Sequence, residues 1–136
     1  MRIDGTFVTK DFKLSQTQPI PNIPTALPTG VSTMEKIYSG QVTGHSATLF
    51  TAAFDPSLGR GAYVAMESFE GELNGRQGAF TFIHSAATTG KNRANEFFSI
   101  VEGSGSGSLK NIRGTGGMKI DDDGTHLIWF EIEGVD

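Results

Sequence analysis

Residues 62–86 constrain the fold more than any other part of the chain. They read AYVAMESFEGEL, then Asn74-Gly75, then RQGAFTFIHSA. Both halves alternate between two kinds of side chain with period two, as β-strands do, and Asn-Gly is a strong signal for a two-residue hairpin turn. The pattern predicts a hairpin in which Leu73 faces Arg76, so that each later pair follows from this one.

The rest of the chain continues in the same way, and no segment carries a convincing amphipathic helix pattern. We predict strands over residues 3–15, 31–42, 46–55, 62–73, 76–86, 94–103 and 125–134, with turns at 43–45, 55–61, 88–93 and 121–124. Strands without helices to cover them must protect their edges, which a closed barrel does best and a sandwich does second best. We therefore predict one all-β domain over residues 1–136, a closed or nearly closed antiparallel barrel of about eight strands with minimal helix.

The glycine-rich stretch GSGSGSLKNIRGTGG (103–117) allows three interpretations, namely a flexible linker, a phosphate-binding loop or part of the sheet. A phosphate-binding loop needs glycine spacing and a following helix that are absent here. A linker does not account for the apolar residues Leu109, Ile112, Met118 and Ile120. We predict a pair of strands joined by a one-turn connector at 108–112, with the glycines at tight bends or close strand contacts.

Residues 16–30 contain four of the five prolines. Because proline lacks the backbone N–H that a sheet requires, this segment is predicted to be an extended loop. We expect its apolar residues Ile20, Ile23 and Leu27 to pack on the barrel. A disordered linker is the alternative.

Composition excludes several classes of function. The chain has no cysteine, so disulfides, thiolate metal sites and cysteine nucleophiles are excluded. Its net charge is −4 with no basic stripe, which argues against nucleic acid as a partner. The histidines lack metal-ligand spacing, and DDDG (121–124) lacks the spacing of a calcium loop, so we predict no metal and no cofactor. With no signal peptide and no apolar run long enough to span a bilayer, we expect a cytoplasmic protein without a membrane partner.

Several motifs together resemble a known family. They are Tyr38-Ser39-Gly40, Glu67-Ser68-Phe69-Glu70-Gly71, the segment from Gly75 to Phe80, His84, and the stretch from Gly103 to Gly116. This set, spread over about residues 35–120, resembles a bacterial family of unknown function whose members are similar to the allene oxide cyclase barrel of plants. The resemblance implies the barrel fold and an interior able to enclose an apolar ligand. It implies no activity, because the family has none established.

The predicted hairpin also defines a candidate site. The side chains on its aromatic face should point into the barrel, and they are Tyr63, Glu67, Phe69, Phe80, Phe82 and His84. Glu67 and His84 fall on neighbouring strands, within reach of one another, and are the candidate catalytic residues. A carboxylate in such a cavity could act as a general base or hold the polar end of a ligand. Alternatively, both residues are structural and satisfy each other in the core, and a bulge at Gly75-Arg76 would separate them.

Three functions remain open from the sequence. The protein binds a small, largely apolar ligand inside the barrel, or it is an isomerase or cyclase with Glu67 as base, or it is a structural or interaction protein with a filled barrel. We also predict a homo-oligomer, most simply a dimer. This expectation rests on residues 127–132, where Trp129 lies between Ile128 and Phe130 and makes both faces of the strand apolar.

Overall fold

The computed structural model describes residues 1–89 and 92–136. Within these ranges the chain forms strands and turns without a helix, and therefore without a helix long and apolar enough to cross a membrane. The strands are β1 (Arg2–Leu14), β2 (Gly30–Gly40), β3 (Val42–Asp55), β4 (Arg60–Leu73), β5 (Arg76–Thr89), β6 (Asn92–Ile100), β7 (Ser106–Gly107), β8 (Arg113–Ile120) and β9 (His126–Glu133).

The strands form one antiparallel sheet in the order β6-β5-β4-β3-β2-β1-β9-β8, with the short β7 paired to β5. The two end strands, β6 and β8, approach each other within 8 Å between Cα atoms. Phe98 of β6 lies against Gly116 of β8, where a Cβ atom on the glycine would come within 2.9 Å of the ring. The sheet therefore curls into a nearly closed barrel, which confirms the predicted fold class.

The Asn74-Gly75 turn joins β4 to β5 in the predicted register. Leu73 pairs with Arg76, Phe69 with Phe80 and Glu67 with Phe82 along the whole hairpin. Asn74 and Gly75 both have positive φ, at 50° and 86°, as a type I′ turn requires. No bulge interrupts the β4–β5 ladder, so the two candidate residues stay on the same side of the sheet.

Residues 103–112, here called the plug segment, close one end of the barrel. β7 brings the segment against Gly78 of β5, and a tight turn follows in which Ile112 N donates to Leu109 O at 3.1 Å. Leu109 and Ile112 are 0% and 1% exposed and belong to the core. A Cβ on Gly105 or Gly78 would collide with the backbone of this turn, so these glycines permit the close contact. The strand-and-connector interpretation of this stretch is confirmed.

The turn predicted at residues 43–45 is wrong, because these residues lie inside β3 and the reversal falls at Gln41. Gly44 pairs with Gly71 of β4, and its φ of 141° together with the contact to the backbone at Glu70 leaves no room for a side chain. Gly44 is required by a close contact between strands, and in the sequence such a glycine cannot be distinguished from a turn glycine.

The proline-rich segment also differs from the prediction. It is a loop between Ser15 and Thr29, but Ile20 and Ile23 are 98% and 69% exposed, and only Leu27 is half-buried. Two of the three apolar residues that were predicted to pack on the barrel therefore do not do so.

The turn predicted at 88–93 is shorter than expected, since strand structure reaches Thr89 and resumes at Asn92; residues 90 and 91 lie outside the described residues.

Trp129 lies on the outer face of β9, between the inward-pointing Ile128 and Phe130. Its ring covers Gly117 of β8, and the guanidinium carbon of Arg2 is 5.1 Å from the ring centroid. Its own chain thus covers part of this side chain. The homodimer inferred from this strand stays a prediction.

Candidate functional site

The six predicted site residues all belong to the inward face of β4 and β5, but they occupy different depths. Tyr63 is half-buried near the open end of the barrel, at the end opposite the plug segment. Glu67 and His84 lie at mid-height and are 0% and 2% exposed. The remaining three form the aromatic core toward the plug segment; they are Phe69, Phe80 and Phe82.

The Glu67 carboxylate is the centre of a buried polar cluster. Its Oε1 accepts hydrogen bonds from Lys36 Nζ at 2.9 Å and from His84 Nε2 at 3.0 Å. Its Oε2 accepts hydrogen bonds from the hydroxyl groups of Tyr38 and Ser46. The barrel brings these donors together from β2, β3 and β5, so four donors satisfy both carboxylate oxygens.

The cluster keeps Glu67 ionised despite its burial. Burial alone would raise the pKa of this carboxyl, but the His84 hydrogen bond, the Lys36 charge and the two hydroxyl donors lower it to about 2. Lys36 is itself only 3% exposed, and its Nζ is 4.6 Å from the centroid of the Phe7 ring. Glu67 and Lys36 therefore form a salt bridge inside the barrel.

Two neighbours of Glu67 are held in their neutral forms. Burial raises the pKa of Tyr38 well above its usual value, and the Glu67 charge raises it further, so Tyr38 remains a donor. Burial lowers the pKa of His84, and this effect together with the Lys36 charge outweighs the hydrogen bond to Glu67. A neutral His84 must carry its proton on Nε2, because the Glu67 carboxylate can only accept.

A chain of hydrogen bonds leads from this cluster toward the open end. His84 Nδ1 lies 2.9 Å from Tyr63 Oη, and with its proton on Nε2 it must accept from the Tyr63 hydroxyl. The Tyr63 oxygen in turn accepts from Arg93 Nη2 at 3.1 Å. Arg93 also forms a salt bridge with Glu96, with Nε 2.6 Å from Oε1. Glu67, His84, Tyr63 and Arg93 therefore form one continuous line from the core to the surface.

A cavity of about 750 Å³ lies at the open end of the barrel. Its walls are mostly apolar and include Phe12, Leu14, Val31, Met34, Phe50 and Phe54. Tyr63 and Arg93 also line it, together with Ser32 and Thr88. The hydrogen-bond chain from Glu67 thus ends at this cavity, whereas Glu67 and His84 lie beneath it.

Sequence reasoning placed Glu67 and His84 in the interior but missed the groups around them. The cluster partners Lys36, Tyr38 and Ser46 come from β2 and β3, and Arg93 comes from the start of β6. One available signal was the alternation of Ser32, Met34, Lys36 and Tyr38 along β2, which places the lysine on the same face as the tyrosine. In residues 1–89 and 92–136, no group of three or more His, Cys, Asp or Glu is arranged to hold a metal ion.

The fold and the cluster define a class: small, nearly closed antiparallel β-barrels with a buried carboxylate cluster below an open-end cavity. Residues 3–132 match the family described as "Protein of unknown function (DUF3224)", and the chain belongs to that family.

A crystal structure of a DUF3224 family protein of unknown function from Shewanella oneidensis MR-1 is similar to this chain, with 25% identity and a TM-score of 0.82. The match covers 98% of this chain and 96% of that one, so the whole barrel is shared. A search of curated proteins finds no match. The family membership predicted from the motifs is confirmed, while the likeness to allene oxide cyclase stays a prediction.

Proposed function

We propose that this protein binds a small, largely apolar molecule with one polar end in the open-end cavity. The observation that carries the proposal is the cavity itself, about 750 Å³ in volume and walled by aromatic and aliphatic side chains. Binding sites for small molecules are typically concave, mostly apolar and about 300–1,000 Å³ in volume, with few polar groups that orient the ligand. This cavity has the size and the lining of such a site.

The polar groups of the cavity favour an anionic or hydrogen-bonding end on the ligand. Arg93 contributes a guanidinium and Tyr63 a hydroxyl at the same end of the wall. Thr88 Oγ1 is buried and has no hydrogen-bond partner within the described part of the chain. A buried hydroxyl without a partner is costly, and a polar ligand atom could supply one. A carboxylate on an apolar body would satisfy this set of groups.

The interior of the closed end is filled by the aromatic rings on β4 and β5. Phe69, Phe80 and Phe82 are at most 2% exposed, and their rings pack on each other with centroids 5.3 Å and 5.8 Å apart. The alternative of a side-chain-filled barrel therefore describes this end. We place the ligand above these rings, with Tyr63 as the member of the six-residue site that touches it.

The alternative in which Glu67 acts directly as a base has less support. Its carboxylate is fully buried, is bonded to four donors, and has a pKa of about 2, which makes it a weak base near neutral pH. Its role in the proposed site is to position His84, and through it Tyr63.

A cavity-filling substitution tests the proposal. Ala52 lines the cavity from β3, whereas Ala47 on the same strand is exposed on the outer face, so Ala52→Phe and Ala47→Phe form a matched pair. The probe is anilinonaphthalene sulfonate, an apolar fluorophore with an anionic group, titrated at equal protein concentration. We expect saturable binding to the wild type and to Ala47→Phe, and binding weakened at least about tenfold, a cost of about 1.4 kcal/mol, in Ala52→Phe.

The polar end is tested by competition. Octanoate should displace the probe more effectively than octylamine, because the guanidinium of Arg93 repels an ammonium group, and Arg93→Gln should reduce this preference. Equal probe binding by Ala52→Phe and Ala47→Phe, with both variants folded by circular dichroism, would refute a site in the cavity.

A further inference from the structure

We propose that Tyr63, His84 and Glu67 form a proton relay that allows Tyr63 to take a proton from a carbon acid bound in the cavity. The class of substrate is a small, apolar molecule whose C–H bond is acidified by a neighbouring carbonyl group. This inference rests on the proposed function, since it requires that the cavity hold a ligand. It assigns the chemistry to Tyr63, which lines the cavity.

The geometry aligns the three groups in one direction. Tyr63 Oη is 2.9 Å from His84 Nδ1, and His84 Nε2 is 3.0 Å from Glu67 Oε1. The carboxylate orients the imidazole so that Nδ1 is free to accept the tyrosine proton. This is the arrangement by which a buried carboxylate, an imidazole and a hydroxyl activate the hydroxyl oxygen in acyl-transfer enzymes.

Both charges that the relay creates have a partner in place. When the Tyr63 proton moves to His84, the imidazolium lies against the Glu67 carboxylate, and the phenolate lies 3.1 Å from Arg93 Nη2. Fixed groups of opposite charge lower the energy of a charged state without having to rearrange during the reaction. These groups therefore offset part of the cost that burial and the Lys36 charge impose on a protonated His84.

A structural role for Glu67 accounts for its four donors, but not for the alignment of His84 Nδ1 with the Tyr63 hydroxyl at the cavity. Lys36 already supplies the opposite charge at 2.9 Å, and the hydroxyls of Tyr38 and Ser46 satisfy Oε2. The bond from His84 also lowers the pKa of the Glu67 carboxyl, but it brings no opposite charge because His84 is neutral. It links the carboxylate to Tyr63, and Tyr63 lines the cavity.

The step conserves atoms and electrons without a cofactor. The Tyr63 proton passes to His84 Nδ1, and the phenolate oxygen then takes the proton from the substrate carbon. The electron pair of the broken C–H bond moves toward the carbonyl oxygen and forms an enolate. Tyr63 then gives a proton to the enolate oxygen, and the His84 proton returns to Tyr63, which completes a 1,3-proton shift from carbon to oxygen. The reaction class is an isomerisation.

The relay can be tested with a probe that requires only a base. 5-Nitrobenzisoxazole loses its carbon-bound proton to a base while its N–O bond breaks, the C–H electron pair forms a nitrile, and the N–O pair leaves as a coloured phenolate. The proton ends on His84 and leaves to water as the product departs. We expect the wild-type protein to accelerate this reaction over buffer at the same pH, and Tyr63→Phe to lower the rate constant of the bound probe about 100-fold.

Two further variants make the result decisive. His84→Gln should also lower the rate constant while displacement of anilinonaphthalene sulfonate by the probe is unchanged, which a purely structural role would not produce. Ala47→Phe should leave both quantities unchanged. An undiminished rate in Tyr63→Phe or His84→Gln would overturn the relay.

The two proposals fail in different ways. If 5-nitrobenzisoxazole displaces the fluorophore from the wild type but reacts no faster than in buffer, the relay is refuted and ligand binding stands. If neither compound binds, the proposed function itself is refuted, and the relay with it.

Discussion

At the closed end of the barrel, β4 and β5 carry Phe69, Phe80 and Phe82 at their inward positions, whereas at the open end the same two strands carry Tyr63, Ala86 and Thr88. The alternation of inward and outward side chains is the same along the whole hairpin. What changes is side-chain volume, and with it whether the interior is filled. Large rings pack to the density of a protein core, while smaller and polar side chains leave a cavity.

The polar cluster lies at the boundary between these two regions. The four hydrogen bonds donated to Glu67 offset the free-energy cost of burying these polar groups. The cluster lies between the packed rings on one side and the cavity on the other. The difference between the two ends therefore predicts which substitutions should affect stability and which should affect binding.

The largest expected effect on stability comes from replacing one phenylalanine by alanine at each end of the barrel. Phe82→Ala removes a ring that is 0% exposed and should lower the free energy of unfolding by about 4 kcal/mol, because it leaves a cavity in a filled core. Phe50→Ala removes a ring from a wall that already faces open space and should cost only about 1 kcal/mol. Urea unfolding of both variants measures the difference, and equal costs would show that the two ends are packed alike.

The next effect concerns the boundary. Glu67→Gln should lower the free energy of unfolding by about 3 kcal/mol, because it leaves the Lys36 ammonium buried without a counter-charge. Adding Lys36→Met removes that ammonium, so the double variant should be more stable than Glu67→Gln alone. Denaturant unfolding of the two single variants and the double variant completes the cycle. A double variant as unstable as the sum of the singles would mean that the two charges do not interact.

Acid should act on the same boundary. The folded pKa of Glu67 is about 2, below its usual 4.5, so the stabilisation that its charge provides is fully present above pH 4.5. It is lost as the pH falls from 4.5 through about 2, where the folded carboxyl takes up its proton. The wild type should lose free energy of unfolding more steeply than Glu67→Gln over this interval, as measured by urea unfolding at a series of pH values. If the free energy of unfolding fell equally with pH in the wild type and in Glu67→Gln, the low folded pKa of Glu67 would be contradicted.

The smallest effect on stability is expected at the rim of the cavity. Phe12 is 62% exposed and lines the cavity, whereas Phe97 is 54% exposed on the outer face of β6. Each Phe→Ser change should alter the free energy of unfolding by less than about 0.5 kcal/mol. Phe12→Ser should weaken binding of anilinonaphthalene sulfonate about threefold, since losing roughly 25 Å² of apolar contact costs about 0.6 kcal/mol. Phe97→Ser should leave it unchanged, and equal weakening in both would place the probe outside the cavity.

Much of the fold and part of the site follow from the sequence. The Asn74-Gly75 turn determines the β4–β5 register, and that register alone predicts that Glu67 and His84 meet inside the barrel, as they do at 3.0 Å. Because only two residues separate the strands at this turn, the Leu73–Arg76 pair fixes the register of every later pair in the hairpin. The connector at 108–112 follows in the same local way from the glycines on either side of it and from its two buried apolar residues.

The tertiary structure decided the rest, because it depends on registers that no short turn specifies. Lys36 reaches Glu67 across 31 residues of chain and two further strand pairings, and Tyr38 does so across 29. The turn between β2 and β3 was misplaced from sequence because Gly44 makes a close strand contact there. The exposure of Ile20 and Ile23 is likewise set by how the loop leaves the sheet and cannot be derived from hydropathy.

The cavity is the clearest example of what only the closed barrel determines. Its wall combines β1, β2, β3, β4, β5 and the start of β6, and its volume is the space left when the lining side chains of all these strands are in place. The sequence by itself determined which side of each strand points inward, because alternation along a strand is a local property. Whether the inward side chains fill the interior depends on their total volume compared with the volume that the barrel encloses. Only the tertiary structure determines this, because the enclosed volume is set by how all the strands close around it.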